Sequence, residues 1–168
     1  MFAVLVLTAG LAAADTSSGT MTVSATVESS ISLTFVSSGS GISLTGSGSN
    51  AATMAFGNVK AYGGSVPAGV TKSVNGVTDW TLSTPFLVRV EKANLSSSDY
   101  TLEATLSAAD AVYAWEIDNV DISDGSAKTI TATGNYDAND SHTFELIIEH
   151  SDAAGAVNKT ISFVATSN

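Results

Sequence analysis

The sequence predicts an all-β, antiparallel sandwich or barrel, on three observations. Apolar and polar residues alternate with period two in one run after another, and successive side chains of a strand point to opposite faces. The runs are short, at a spacing of roughly 8–12 residues, with turn-forming residues between them. Beyond at most one helical turn at Ser107–Ala111, no stretch holds the 3.6-residue period of an amphipathic helix. The clean alternation favours antiparallel sheets, each with one wet face. A chain of 168 residues is long enough to bury one sizeable core, so a single domain is expected.

Taken in order, the first strand is Thr20–Val27 (TMTVSATV). Met21, Val23, Ala25 and Val27 share one face, and Thr20, Thr22, Ser24 and Thr26 share the other. A second run follows Glu28-Ser29-Ser30, with Ile31, Leu33 and Phe35 against Ser32 and Thr34. Ser37–Asn50 is Gly/Ser-rich around one apolar pair, Ile42 and Leu44, and reads as a long loop or weak edge hairpin. Ala51–Val59 is a strand candidate through Met54 and Phe56. Val66, Val70 and Val74 before Asn75-Gly76 suggest a short strand ending in a tight turn.

The second half alternates more clearly. Phe86, Val88 and Val90 form a strand with Pro85 at its start, where proline is tolerated. Tyr100, Leu102, Ala104 and Leu106 form the next, then Tyr113, Trp115 and Ile117. Ile130 and Ala132 sit between threonines, Phe144, Leu146 and Ile148 follow, and Ile161, Phe163 and Ala165 close the chain. Asn94–Ser98, Asp124-Gly125, Gly134-Asn135, Ala138–Asp140 and Ala153–Gly155 supply the turns.

Composition excludes several functions. Charged residues are 13% of the chain, about half the usual share, and Ser (25) and Thr (20) supply the missing polarity. A net charge of −10 argues against a nucleic-acid binder, which needs a basic footprint. With no cysteine there is neither a disulfide framework nor a thiolate metal centre. A mean hydropathy of +0.26 argues against acidic disorder.

No enzyme motif is present: G-x-S-x-G, H-E-x-x-H and G-x-x-x-x-G-K are all missing. His142 and His150 fall near strand ends among acids and read as solvated edge residues. Glu103, Glu145 and Glu149 lie opposite the apolar faces, where solvated charges belong. Trp80 and Trp115 sit among apolar neighbours and read as core. Asp118, Asp121 and Asp124 with Gly125, and Asp137, Asn139 and Asp140 nearby, are the candidates for a calcium site, because calcium takes six to eight oxygen ligands. Their spacing does not follow the EF-hand order, and solvated turn aspartates are the competing reading. No other cofactor is expected.

Phe2–Ala14 is apolar and uncharged, too short to span a membrane, with Ala12 and Ala14 placed as an A-x-A cleavage site before Asp15. Residues 1–14 therefore read as a secretory signal peptide, residues 15–28 as an N-terminal strand or extension, and residues 29–168 as the sandwich. The expected address is extracellular or the cell surface, with no transmembrane segment in the mature chain.

Two features point to assembly. Met21, Val23, Ala25 and Val27 are spaced to complete another subunit's sheet by β-strand addition, or to pair within their own domain. Charge is also uneven: residues 29–78 carry Lys60, Lys72 and no acid, whereas residues 99–152 carry twelve acids against Lys128. Such asymmetry suits a head-to-tail contact, and equally an acidic face kept soluble by repulsion.

Through T-M-T-V-S-A-T-V at its start, F-G-N-V at 56–59 and T-I-S-F-V-A-T-S-N at its end, the chain resembles archaic chaperone–usher pilins of the spore coat protein U-like group. The resemblance implies an incomplete immunoglobulin-like sandwich, completed by strand donation between subunits. It implies a donor at Thr20–Val27 and a last strand, with Ile161, Phe163 and Ala165, bordering the acceptor groove. Its partners would be further copies of the chain, a periplasmic chaperone and an outer-membrane usher. The cysteine pair that many such pilins carry near the N-terminus is missing. The expected function is a non-enzymatic subunit of a fibre, pilus or surface coat. The alternative is a secreted β-sandwich module that binds glycans or surfaces, stabilised by calcium.

Overall fold

The computed structural model describes residues 18–168, so the apolar segment Phe2–Ala14, its cleavage site and Asp15 lie outside the described residues. Among the described residues the structure is all-β, without a helix. Nine strands form: β1 (Ser30–Ser37), β2 (Thr71–Asn75), β3 (Asp79–Ala93), β4 (Asp99–Leu106), β5 (Ala114–Ile117), β6 (Val120–Asp121), β7 (Lys128–Asn135), β8 (Asn139–Glu149) and β9 (Ile161–Ser167). One sheet has the order β1-β3-β8-β5-β6, with β2 also on β3; the other has the order β7-β4-β9. Every pairing is antiparallel.

The two sheets pack as a sandwich because their buried faces lie in register. Across β3, β8 and β5, Leu82 pairs with Leu146, which pairs with Trp115; Thr84 pairs with Phe144, which pairs with Ile117. These residues are all buried, and Tyr100, Leu102, Ala104 and Leu106 of β4 meet them from the other sheet. Trp80 and Trp115 are core residues, as their apolar neighbours predict. Glu103, Glu145 and Glu149 stand off the core faces.

Strand β3 is longer than the alternation suggested, and Pro85 lies in its interior rather than at its start. The position is tolerated because one edge of β3 changes partner there. β2 pairs with residues 79–83 and β1 with residues 86–93. The gap between them is filled by two loops clamped on Thr84, a fully buried residue. Its hydroxyl accepts the amide of Ile42 at 2.9 Å and donates to the carbonyl of Gly69 at 2.7 Å. The loops touch backbone to backbone, and a Cβ on Gly69 (φ +80°) would stand 2.1 Å from the Gly41 carbonyl. Only glycine fits both that contact and that backbone angle.

Other expectations are corrected. Gly134-Asn135 is not a turn but the end of β7, where Gly134 makes room for the ring of Tyr100. The turn follows at Tyr136–Asp137, with Asp137 at φ 61°. Ala51–Val59 forms no strand; its only ladder contact is the bridge between Thr45 and Thr53. Ser107–Ala111 is not helical. Thr20–Val27 forms no strand either and lies exposed beside the sandwich.

His142 is the sharpest correction. It is not a solvated edge residue but is 2% exposed, packed on Phe86 at 5.6 Å between ring centroids. Its Nδ1 donates to Asp118 Oδ2 at 2.6 Å, and its Nε2 lies 3.3 Å from Asp140 Oδ2. Asp118 pairs one ring nitrogen from the sandwich rim, whereas Nε2, although near the Asp140 carboxylate, makes no hydrogen bond. His150, by contrast, is half-buried and stacks on Tyr62.

Candidate functional site: a groove between the sheets

The two sheets are unequal, and that inequality makes the site. β4 is eight residues long and offers four of them to the core, whereas β3 and β8 extend for fifteen and eleven. The three-stranded sheet therefore cannot cover the far halves of β3 and β8. Half-buried residues of the irregular chain do so instead, among them Met54, Phe56, Val59, Val66 and Val70. The cover is incomplete and leaves a groove of about 1400 Å³.

Core side chains form the floor of the groove: Leu82 and Phe86 of β3, Trp115 and Ile117 of β5, and Phe144, Leu146 and Ile148 of β8. One wall is β1, through Ile31, Leu33 and Phe35. The opposite wall is the start of β9 and the segment before it, residues 155–163. A third is the segment 49–59. Small-molecule sites are typically about 300–1,000 Å³. This groove is larger, elongated along two strands and mostly apolar at its floor, a shape that suits a peptide segment.

Both strand walls offer unpaired backbone. Among the described residues β9 pairs only with β4, and β1 pairs only with β3 apart from one bridge, in which the Phe35 amide donates to the Ser49 carbonyl at 2.8 Å. The backbone groups that point to the outer edge of β1 are those of Phe35 and, by the two-residue repeat, Leu33 and Ile31. An edge strand with free donors and acceptors templates the addition of another strand. Phe163 joins the two walls: its ring stands edge-on to Phe35 at 5.1 Å and to Phe86 at 5.9 Å.

The sequence-predicted interface residues fall into two groups. Ile161 and Phe163 line the groove, and Ala165 packs on the core farther along β9. Met21, Val23 and Val27 are 87%, 81% and 72% exposed, and Ala25 is exposed with them. They belong to an extension that leaves the sandwich at Ser30. At its base the Asn94 side chain donates to the Glu28 carbonyl at 3.3 Å.

The floor and wall are tied together by Asp110. Its carboxylate accepts the amides of Val112 and Tyr113 and the Trp115 indole, at 3.0, 3.2 and 3.0 Å, and lies 3.8 Å from Lys159. Burial pushes this carboxyl up, but the three donors and the lysine outweigh it and hold it below the ordinary aspartate value.

The calcium candidates do not converge. Asp118 holds His142 and the Thr143 amide, Asp121 accepts the Ser123 amide, and Asp124 accepts the Ser126 amide and pairs with Lys128 at 2.6 Å. Asp140 binds Thr131. Among the described residues no group of three or more His, Asp or Glu side chains is arranged to hold a metal ion.

Two features were missed from the sequence, and only one of them left a signal there. The wall at 49–59 depends on where an irregular segment packs. The burial of His142 depends on Asp118 and Asp140, which surround it only after folding; its place in the apolar phase of Phe144 and Leu146 was the available signal.

Comparison with protein-family models, with curated proteins and with solved structures finds no match.

Proposed function

We propose that the chain is a non-enzymatic structural subunit that polymerises by β-strand addition: the Thr20–Val27 segment of one copy enters the groove of the next. The observation that carries this reading is a complementary pair within one chain. An extension with exposed apolar side chains at every second residue accompanies an apolar groove walled by two strand edges with free backbone. The extension is exposed and pairs with none of the described strands of its own sandwich.

The magnitudes are compatible. Burying Met21, Val23 and Val27 contributes on the order of 1.5–3 kcal/mol each. Together these roughly match the low end of the 4–15 kcal/mol that association costs in lost freedom. A main-chain ladder along β1 and β9 then supplies the surplus that makes the contact stable. Because donor and acceptor are different surfaces, the contact is head-to-tail and open, and its product is a filament.

The apolar leader at Phe2–Ala14 supports a secreted subunit that assembles outside the cytoplasm. The layout is that of the pilin group it resembles, and a chaperone covering the groove before assembly belongs to the same proposal. Electron microscopy and light scattering of the purified chain test it. Full-length protein is expected to form filaments, and deletion of residues 15–27 to abolish them while leaving a folded monomer. Filaments of normal appearance from the truncated chain would overturn the reading. A strictly monomeric full-length chain would favour the surface-binding alternative.

A further inference from the structure

We infer that the segment Ala51–Val59 is an internal strap that occupies part of the groove and must be displaced before the groove takes a second copy's strand. The inference rests on the strand-addition reading above and adds a built-in competitor to it. The strap lines the groove along its whole length. It presents Met54 and Phe56 to the core, two residues apart, with Phe56 tilted on Phe144 of the groove floor at 5.8 Å. Its Thr53-Met54-Ala55-Phe56 repeats the alternation of the proposed donor's Thr20-Met21-Thr22-Val23. It thus offers the same kind of side chains to the same floor from within the chain.

The strap is held weakly. It forms no strand, and its ladder contacts reduce to the pair Thr45–Thr53, whose amides and carbonyls bond at 3.1 and 2.8 Å. Just before it, the hairpin places Ser49 on the outer edge of β1, where the Phe35 amide and carbonyl are both taken, the carbonyl by Gly48 at 2.7 Å. A strand added along β1 meets that hairpin at Phe35. At the strap's far side Gly57 has φ +65° with open space where a side chain would stand, and Val59 after it packs on the core. Apolar contact keeps the strap in place, and a stronger occupant with a full ladder displaces it.

The test uses the full chain, kept monomeric by low concentration, and a synthetic peptide of residues 20–27. Amide hydrogen exchange is followed with and without peptide. The expected result is new protection in β1 and β9 together with lost protection of the Thr45 and Thr53 amides, the bonded pair that holds the strap. Bound peptide with the strap still protected overturns the strap inference and leaves strand addition intact. No peptide binding overturns both. Phe56→Ala is expected to tighten peptide binding on the order of tenfold, because the open groove becomes more populated; unchanged or weaker binding by a folded variant counts against the strap. A second variant does not depend on the core. Thr45→Cys with Thr53→Cys places a disulfide across a bonded antiparallel pair, whose usual Cα separation permits one, in a chain with no other cysteine. The oxidised form is expected to bind peptide at least tenfold more weakly, on the order of the same population shift, and reductant to restore it. Equal affinity in both redox states contradicts a displaceable strap.

Discussion

Replacing Thr84 by valine tests how the groove's irregular side is held. The two side chains have nearly the same shape, so the change removes one hydroxyl and little else. In the wild type that hydroxyl joins the Ile42 amide and the Gly69 carbonyl in a site with no solvent exposure. After the change the buried Ile42 amide and the half-buried Gly69 carbonyl both lose this partner. Each such group costs about 1–3 kcal/mol, so Thr84→Val is expected to lose roughly 2–6 kcal/mol. That is a large fraction of the 5–15 kcal/mol typical of a domain. Thr84→Ser keeps the hydroxyl and loses a methyl group, and is expected to lose only about 1 kcal/mol. Equilibrium urea unfolding of the monomer, read by the fluorescence of the buried Trp80 and Trp115, measures both. A Thr84→Val loss below about 0.5 kcal/mol, or equal losses for the two variants, would refute the claim that one hydroxyl clamps these loops.

Gly69→Ala combines a clash at the Gly41 carbonyl with a left-handed backbone and is expected to lose about 2–5 kcal/mol. Gly76→Ala, left-handed but in open space, is expected to lose only about 1–2 kcal/mol in the same urea titration, and equal losses would deny the close approach. Glu116 lies directly across from Glu145 on β8 and Asp121 on β6, and burial and these two carboxylates raise its carboxyl above the ordinary value. A raised acid stabilises the fold at low pH and loses that contribution as pH rises through its folded value. Glu116→Gln is therefore expected to raise stability at pH 7 by roughly 0.2–1 kcal/mol, with the gain vanishing once carboxylates are protonated; a gain that persists in acid would point to another cause. Asp110 has the opposite sign: its lowered carboxyl contributes stability above the ordinary aspartate range and loses it as pH falls through the folded value. Asp110→Asn should flatten the acid end of the stability profile, and an unchanged acid limb would rule out this carboxylate as its source.

Period-two alternation was a sound guide wherever a strand has a partner within the chain. β1, β4, β8 and β9 lie where Leu33, Leu102, Leu146 and Phe163 place them. It could not separate strands that pair internally from segments that only have the pattern. Thr20–Val27 and Ala51–Val59 both alternate, yet neither forms a strand, because pairing needs an edge and sequence spacing does not report edges. Pro85 was misplaced for a related reason: its tolerance comes from the partner change between β2 and β1, a property of topology. The candidate groove was legible only in part. Alternation put Ile161 and Phe163 on a last strand, and their place beside a groove came only from the pilin resemblance, whereas the strap and the Asp110 tie to Trp115 and Lys159 arise from irregular chain.

The central claim is that the groove of one copy takes the N-terminal segment of another, and complementation in trans tests it most directly. The chain without residues 15–27 is titrated with a peptide of residues 20–27, and its thermal midpoint is followed. The account predicts a saturable rise, equivalent to about 2.7 kcal/mol at a hundred times the dissociation constant, and no rise with a scrambled peptide of the same composition. No shift, or the same shift from the scrambled peptide, would contradict it.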